Sequence, residues 1–238
     1  MRVTQEGYLT QLTWMPRLFP VNCYLVEEEK GLTLIDAALP FCVQGIMKAA
    51  ADLDKNITRI VLTHAHDDHV GALDRLHKLL PEAQVFISKR DAALLKGDRS
   101  LLPGEPETPI KGSVPSKITT RPDNLLQEGD YIGSLTALYT PGHTPGSMSF
   151  IDRRTGAAVV GDAFQTFREV AVAGTRVKWF PFPAMATWNK EYAHRSAGKL
   201  LDSGPTILAA GHGNMFKDPV RVMQEAIRKA QITQGQER

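Results

Sequence analysis

The sequence predicts an α/β protein: a four-layer sandwich of two similar halves, with sheets inside and helices outside. Three observations carry this expectation. Short apolar strand-like segments precede helical patterns twice along the chain. A stretch rich in Gly, Pro, Ser and Lys, from 97 to 122, separates the two series. Of 238 residues, 42% are hydrophobic, enough to bury one sizeable core. A single domain over residues 1–238 is expected.

In the first half, Leu9–Trp14 and Val21–Glu27 read as strands, and the turn at Lys30-Gly31 leads into Leu32–Asp36 as a hairpin. Phe41 to Leu53 has a helical pattern. Ile60-Val61-Leu62 is an apolar run short enough for a buried strand. Between Gly71 and Leu80, the residues Leu73, Leu76, Leu79 and Leu80 are expected on one helical face, with Pro81 ending the helix. Val85-Phe86-Ile87 reads as another buried strand. Ser88-x-x-Asp91 has the form of a capping box for a helix through Leu95.

The second half repeats the order. Tyr131–Ile132, Leu135–Tyr139, Met148–Ile151 and Ala157–Val160 are strand-like. An aromatic-rich segment from Phe164 to Trp188 follows, which Pro181 and Pro183 are expected to hold as a stiff loop. A helix near Asn189–Leu201, a strand at Thr206–Ala210 and a helix from Pro219 to Gln231 complete the chain.

Composition excludes several functions. Charged residues are 23% and the net charge is +2, and no dense Lys/Arg cluster forms a phosphate-binding face, so no nucleic-acid partner is expected. Two cysteines, Cys23 and Cys42, are too few for a disulfide scaffold and lie in apolar surroundings that predict buried thiols. The first twenty residues lack a basic start and apolar run, and no apolar stretch approaches about 18 residues. A cytoplasmic protein with no membrane partner is the resulting expectation.

The chemistry is concentrated after the Ile60–Leu62 strand, in Thr63-His64-Ala65-His66-Asp67-Asp68-His69. Residues two apart in extended chain project to the same side, so His64 and His66 can grip one ion. Asp68 and His69, adjacent at a helix start, point elsewhere and favour a second ion. Three further candidates stand at strand ends: His143 on the Pro/Gly turn after Leu135–Tyr139, Asp162 after Val159-Val160-Gly161, and His212 after Leu208-Ala209-Ala210-Gly211. Imidazole with carboxylate and no sulfur suits zinc, iron or manganese. His77 and His194 fall in helical patterns and are read as non-ligands; Asp67 is read as a solvated acid or a partner of the ligands.

Taken in order, Leu34-Ile35-Asp36, His64-x-His66-x-Asp68-His69, His143, Asp162 and His212 resemble the metallo-β-lactamase superfamily over nearly the whole chain. The resemblance implies the αββα metallo-β-lactamase fold. It further implies one ion held by His64, His66 and His143, a second by Asp68, His69 and His212, and Asp162 bridging both. Asp68 and Asp162 would then be the catalytic carboxylates, and Asp36 would support the metal loops. Two Zn2+ per chain are expected, with Mn2+ or Fe2+ as alternatives. Such a pair lowers the pKa of a shared water from about 15.7 toward 7, which makes a nucleophile available at neutral pH.

The expected activity is hydrolysis of an ester, lactone or thioester of a small molecule. Metallo-β-lactamases proper lack the bridging carboxylate that Asp162 supplies. Glyoxalase II shares the ligand set but holds glutathione with a C-terminal helical domain, and 26 residues follow His212 here. Homoserine-lactone lactonases place a Tyr where this chain has Gln165. A phosphodiesterase is one alternative. The other, a mononuclear iron enzyme resembling persulfide dioxygenases, would not need Asp68, His69 and His212. The Phe164–Trp188 aromatics read equally as an apolar wall for an acyl or aryl substrate, or as core or homodimer surface.

Overall fold

The computed structural model describes residues 1–236. Strands β1 (Arg2–Glu6), β2 (Leu9–Trp14), β3 (Val21–Glu28) and β4 (Gly31–Ile35) form an antiparallel meander. Helix α1 (Val43–Asp52) returns the chain to β5 (Ile57–Val61), which lies parallel to β4. After α2 (Asp67–Val70) and α3 (Leu73–Leu79), β6 (Gln84–Ser88) extends the sheet, and after α4 (Asp91–Leu95) so does β7 (Asn124–Leu126), both in parallel.

The second sheet begins with β8 (Tyr131–Ile132), β9 (Leu135–Tyr139), β10 (Met148–Asp152) and β11 (Ala157–Gly161). A small pair, β12 (Phe164–Gln165) and β13 (Ala171–Val172), precedes α5 (Phe182–Ala186) and α6 (Lys190–Asp202). Then β14 (Ile207–Ala210) inserts parallel to β11, β15 (Phe216–Lys217) closes the edge, and α7 (Val220–Gln236) follows.

The period-two alternation of the strands builds the layers. Leu34 and Ile60 point out of the first sheet and pack with Ile46 of α1 and Leu73 and Leu76 of α3. Their neighbours Ile35 and Val61 point inward and meet Ala137, Phe150, Val159 and Ala209 of the second sheet. Ala158, Val160 and Leu208 point out again, under Ala197 and Leu200 of α6 and Met223 and Ala226 of α7. This is an αββα sandwich. Each fully buried Leu, Ile or Phe contributes roughly 1.5–3 kcal/mol, so these clusters dominate stability.

The layering also positions the site. Asp36, His64, Asp162 and His212 directly follow or lie just beyond β4, β5, β11 and β14, whose parallel pairings make their carboxyl ends coincide at one edge of the sandwich. The β9–β10 turn brings His143 to the same edge.

Three expectations need correction. Phe182–Ala186 is a short helix, because Pro181 is its N-cap and Pro183 lies in its first turn, where a missing N–H costs nothing. Leu79 is 58% exposed; at six residues past Leu73 it sits about 240° round the helix, away from the buried face of Leu73 and Leu76. The Ser88-x-x-Asp91 box is half made: the Asp91 N–H donates to Ser88 Oγ at 3.0 Å, while the Asp91 carboxylate faces other loops. Cys23 and Cys42 are free and buried, and burial raises both thiol pKa values. Among the described residues, no helix is long and apolar enough to cross a membrane.

Candidate metal centre

All seven expected ligands converge at the sandwich edge, in trios whose ligand atoms lie within 4.8 Å of one another: His64/His66/His143, Asp68/His69/His212, and His64/His69/Asp162 linking the two. Asp162 lies between the groups. Its Oδ2 is 3.4 Å from His143 Nε2 and 3.2 Å from His212 Nε2, and its Oδ1 is 3.4 Å from His69 Nε2. Asp68 Oδ2 stands 3.5 Å from His212 Nε2. His77 and His194 belong to none of these trios.

The outward face of each ring is fixed by an oxygen. Thr63 Oγ1 donates to Asp36 Oδ2 (2.8 Å), which leaves it to accept from His64 Nδ1 at 3.0 Å. His66 Nε2 donates to Lys111 O at 3.0 Å. Thr187 Oγ1 donates to Pro183 O (2.7 Å) and accepts from His143 Nδ1 at 3.2 Å. His69 Nδ1 donates to Asp36 Oδ2 at 2.8 Å, and His212 Nδ1 to Pro20 O at 2.6 Å. These partners put the proton on the outer nitrogen and the lone pair on the inner one, five times over.

That arrangement tests the fit of a cation directly. His66 Nδ1 and His143 Nε2, both lone-pair atoms by this logic, approach to 2.9 Å. His64 Nε2, His69 Nε2 and Asp162 Oδ1 are buried and make no hydrogen bond. Each buried unsatisfied group costs about 1–3 kcal/mol, and lone pairs facing one another add repulsion. A divalent ion on each side satisfies all of them, so the residues fit the group.

The electrostatics divide the centre in two. Burial holds His64 well below the ordinary histidine pKa, lowers His66, and takes His143 down to about 3, so this trio is neutral as cation ligation requires. Burial pulls down His69 and His212 as well, but the carboxylates around them together outweigh it and raise both: Asp162, Asp36 and Asp68 at His69, Asp162 and Asp68 at His212. Burial alone would raise Asp162; the imidazoles of His212, His69 and His143 instead hold it well below the usual carboxylate range. An ion held on the His69/His212 side would have to displace protons.

Asp36 occupies the supporting position expected of it. It accepts from the Thr63 N–H at 2.8 Å as well as from Thr63 Oγ1 and His69, and it holds a left-handed backbone at φ +61. Asp67 is bonded to Ser113 through both backbone and side chain.

A cavity of about 420 Å³ opens onto the centre, lined by Phe19, Leu39, Phe182, Pro183 and Ala186 beside His66, Asp67, Asp68, Ser113, His143, Asp162 and His212. Gln165 is buried in β12 and does not line it. The aromatic segment divides its roles: Phe164, Phe180 and Trp188 are core, Phe182 faces the cavity, and Trp179 is exposed.

Sequence reasoning missed the wall made by Lys111, Gly112 and Ser113, inside a stretch read only as a connection. Gly112 has φ +84, and a Cβ there would overlap the His66 ring. Gly112→Ala is expected to weaken ion binding at His64/His66/His143 by roughly 10–100-fold, as lost ligand support typically does. Gly104 shares the left-handed backbone (φ +87) but has nothing within 4 Å of its Cβ position. Gly104→Ala should therefore leave affinity unchanged in the same metal titration. Equal effects would assign the loss to backbone strain.

A two-sheet sandwich with five imidazoles and two carboxylates gathered at one edge, from strand ends, a turn and the start of α2, defines a class of metal-binding enzymes. The chain belongs to the metallo-β-lactamase superfamily of metallo-hydrolases, whose sequence profile matches residues 16–212. It is 56% identical over 231 residues to the uncharacterized protein YobT of Bacillus subtilis (strain 168), covering 97% of this chain and 99% of that one. The probable metallo-hydrolase YflN of the same organism is 27% identical over 214 residues, 81% of this chain and 80% of its own length. The crystal structure of TTHA1623 in a di-iron-bound form superposes with a TM-score of 0.66 at 25% identity, covering 89% of this chain and 96% of that one.

Proposed function

We propose that this protein is a dinuclear metal hydrolase that cleaves an ester, thioester or lactone with an apolar, uncharged acyl side. The observation that carries this reading is the pairing of the histidine–carboxylate centre with an apolar wall: Phe19, Leu39, Phe182, Pro183 and Ala186 line the cavity, with no Lys or Arg among its described lining residues. A phosphodiester or other anionic substrate would have no cationic side chain there to meet it. Two Zn2+ are the proposed ions, at His64/His66/His143 and Asp68/His69/His212, with Asp162 between them. Mn2+ and Fe2+ are the alternatives, and the similarity to a di-iron-bound protein supports weighing iron. When bound, a pair of this kind acidifies water and polarises a carbonyl oxygen.

The chain's own residues do the rest. Phe19 and Phe182, 5.1 Å apart by ring centroids, form a wall that holds the acyl group and excludes water from one flank. Asp68, with its side chain 28% exposed, lines the cavity with Oδ2 turned to His212, so it would hold the second ion at the edge the substrate reaches. The substrate is a small molecule.

The test is a panel of lactones, thioesters, aryl esters, phosphodiesters and β-lactams against Zn2+-, Mn2+- and Fe2+-loaded protein. Acyl compounds should lead. Phe182→Ser should raise KM for a long-chain thioester roughly tenfold relative to an acetyl one, the effect of about 1.4 kcal/mol of lost apolar contact. Preference for the phosphodiester or the β-lactam would contradict the proposal.

A further inference from the structure

Asp91 is fully buried at the head of α4 and outside the cavity, and its hydrogen bonds go to Ala65, Ser88, Thr144 and Gly146, none of them a candidate ligand. Its carboxylate nevertheless joins the two separate loops that carry one ligand trio. Oδ2 accepts from the Ala65 N–H at 3.0 Å and from Thr144 Oγ1 at 2.7 Å; Oδ1 accepts from the Gly146 N–H at 2.7 Å. Ala65 sits between His64 and His66, and Thr144 directly follows His143. Gly146 lets this turn close on Asp91, since a Cβ there would overlap the carboxylate and the Asp91 backbone. Thr144 is braced in turn by Ser147, whose Oγ accepts from the Thr144 N–H at 3.0 Å.

We propose that Asp91 is a positioning residue for one of the two ions: its carboxylate locks the His64–His66 loop to the His143 turn and so sets the three-histidine site. The inference rests on the metal reading of the centre made above. Asp36 is the other buried carboxylate at this edge: it bonds His69 directly and reaches His64 only through Thr63, so Asp91 is the one that joins the His64–His66 loop to the His143 turn. Burial pushes the Asp91 carboxyl up to about 6, against the pull of its three donors. At neutral pH it is ionised and accepts from all three. An amide in its place cannot do this, because its NH2 must face one of those donors.

The experiment measures where ions go. Wild-type protein, Asp91→Asn and Thr144→Val are titrated with Zn2+ against a chelator, and crystals grown at limiting Zn2+ are read by anomalous diffraction for occupancy at each position. Asp91→Asn should bind 10–100-fold more weakly at His64/His66/His143, with Asp68/His69/His212 changed less than threefold. Thr144→Val, which removes one donor and keeps the carboxylate, should show a smaller loss at the same position. A role confined to folding would lower both sites together, and either that result or unshifted affinity at both overturns the inference. Should Asp91→Asn fail to fold, Thr144→Val decides by the same criterion. Wild-type protein that takes up no ion would overturn the metal reading and this inference together; two ions in the wild type without selective loss would overturn this inference alone.

Discussion

Asp68→Ala is expected to lower hydrolytic turnover roughly a thousandfold while leaving the melting temperature of the ion-free protein within a few degrees of ion-free wild type. The two effects separate because the residue stands outside the core. Its side chain is 28% exposed, and its Oδ2 stands 3.5 Å from His212 Nε2. It occupies the first turn of a short helix, where Ala is well tolerated. Removing it opens the Asp68/His69/His212 trio, and losing about 4 kcal/mol of the charge stabilisation that a divalent ion supplies corresponds to a factor of about a thousand. His66→Ala should act alike on the other trio. A core truncation such as Leu34→Ala would instead cost about 2–5 kcal/mol of stability. Steady-state kinetics beside thermal melts distinguish the cases. Turnover retained in either ligand variant would mean that water is activated elsewhere.

Stripping the ions with a chelator should abolish turnover and lower the melting temperature by at least about ten degrees. An ion present at a thousand times its dissociation constant stabilises the fold by about 4.1 kcal/mol, and about 2–4 °C per kcal/mol applies to a chain of this size. Without ions, His64 Nε2 is left buried with no hydrogen-bond partner. The increment has a defined pH dependence. His69 and His212 have raised folded-state pKa values in the ion-free protein, so their protons contribute stability that is full below the ordinary histidine value, about 6.5, and lost as pH rises through the raised values. Ions compete with those protons. The gain on ion addition is therefore largest at high pH and shrinks as pH falls through that range. A melting temperature insensitive to chelation, or a gain that grows toward acid pH, would contradict this.

Much of both the fold and the site was legible because it lies in short-range pattern. The alternation that sends Leu34 and Ile60 outward and Ile35 and Val61 inward is visible along the chain, and so are the His/Asp candidates placed at strand ends. What escaped reading is formed by segments meeting across the fold. β1, with sequence Arg2-Val3-Thr4-Gln5-Glu6, is a polar, exposed edge strand with no apolar period to reveal it. Lys111 to Ser113 have no local signal beyond Gly112, whose left-handed backbone and lack of a Cβ make room for the His66 ring. Local spacing marks Asp91 as a cap, yet its carboxylate is used by loops that approach it only in the folded chain. Phe19 reaches the cavity through ring contacts with Phe180 and Phe182, far along the sequence.

Anomalous diffraction from crystals of metal-loaded protein, with elemental analysis of the same sample, is the most direct check. The expected result is two ions per chain about 3.5–4 Å apart, one against His64, His66 and His143, the other against Asp68, His69 and His212, with Asp162 touching both. Density at neither position after loading with Zn2+, Mn2+ or Fe2+, or a single ion that leaves Asp68, His69 and His212 unengaged, would contradict the account.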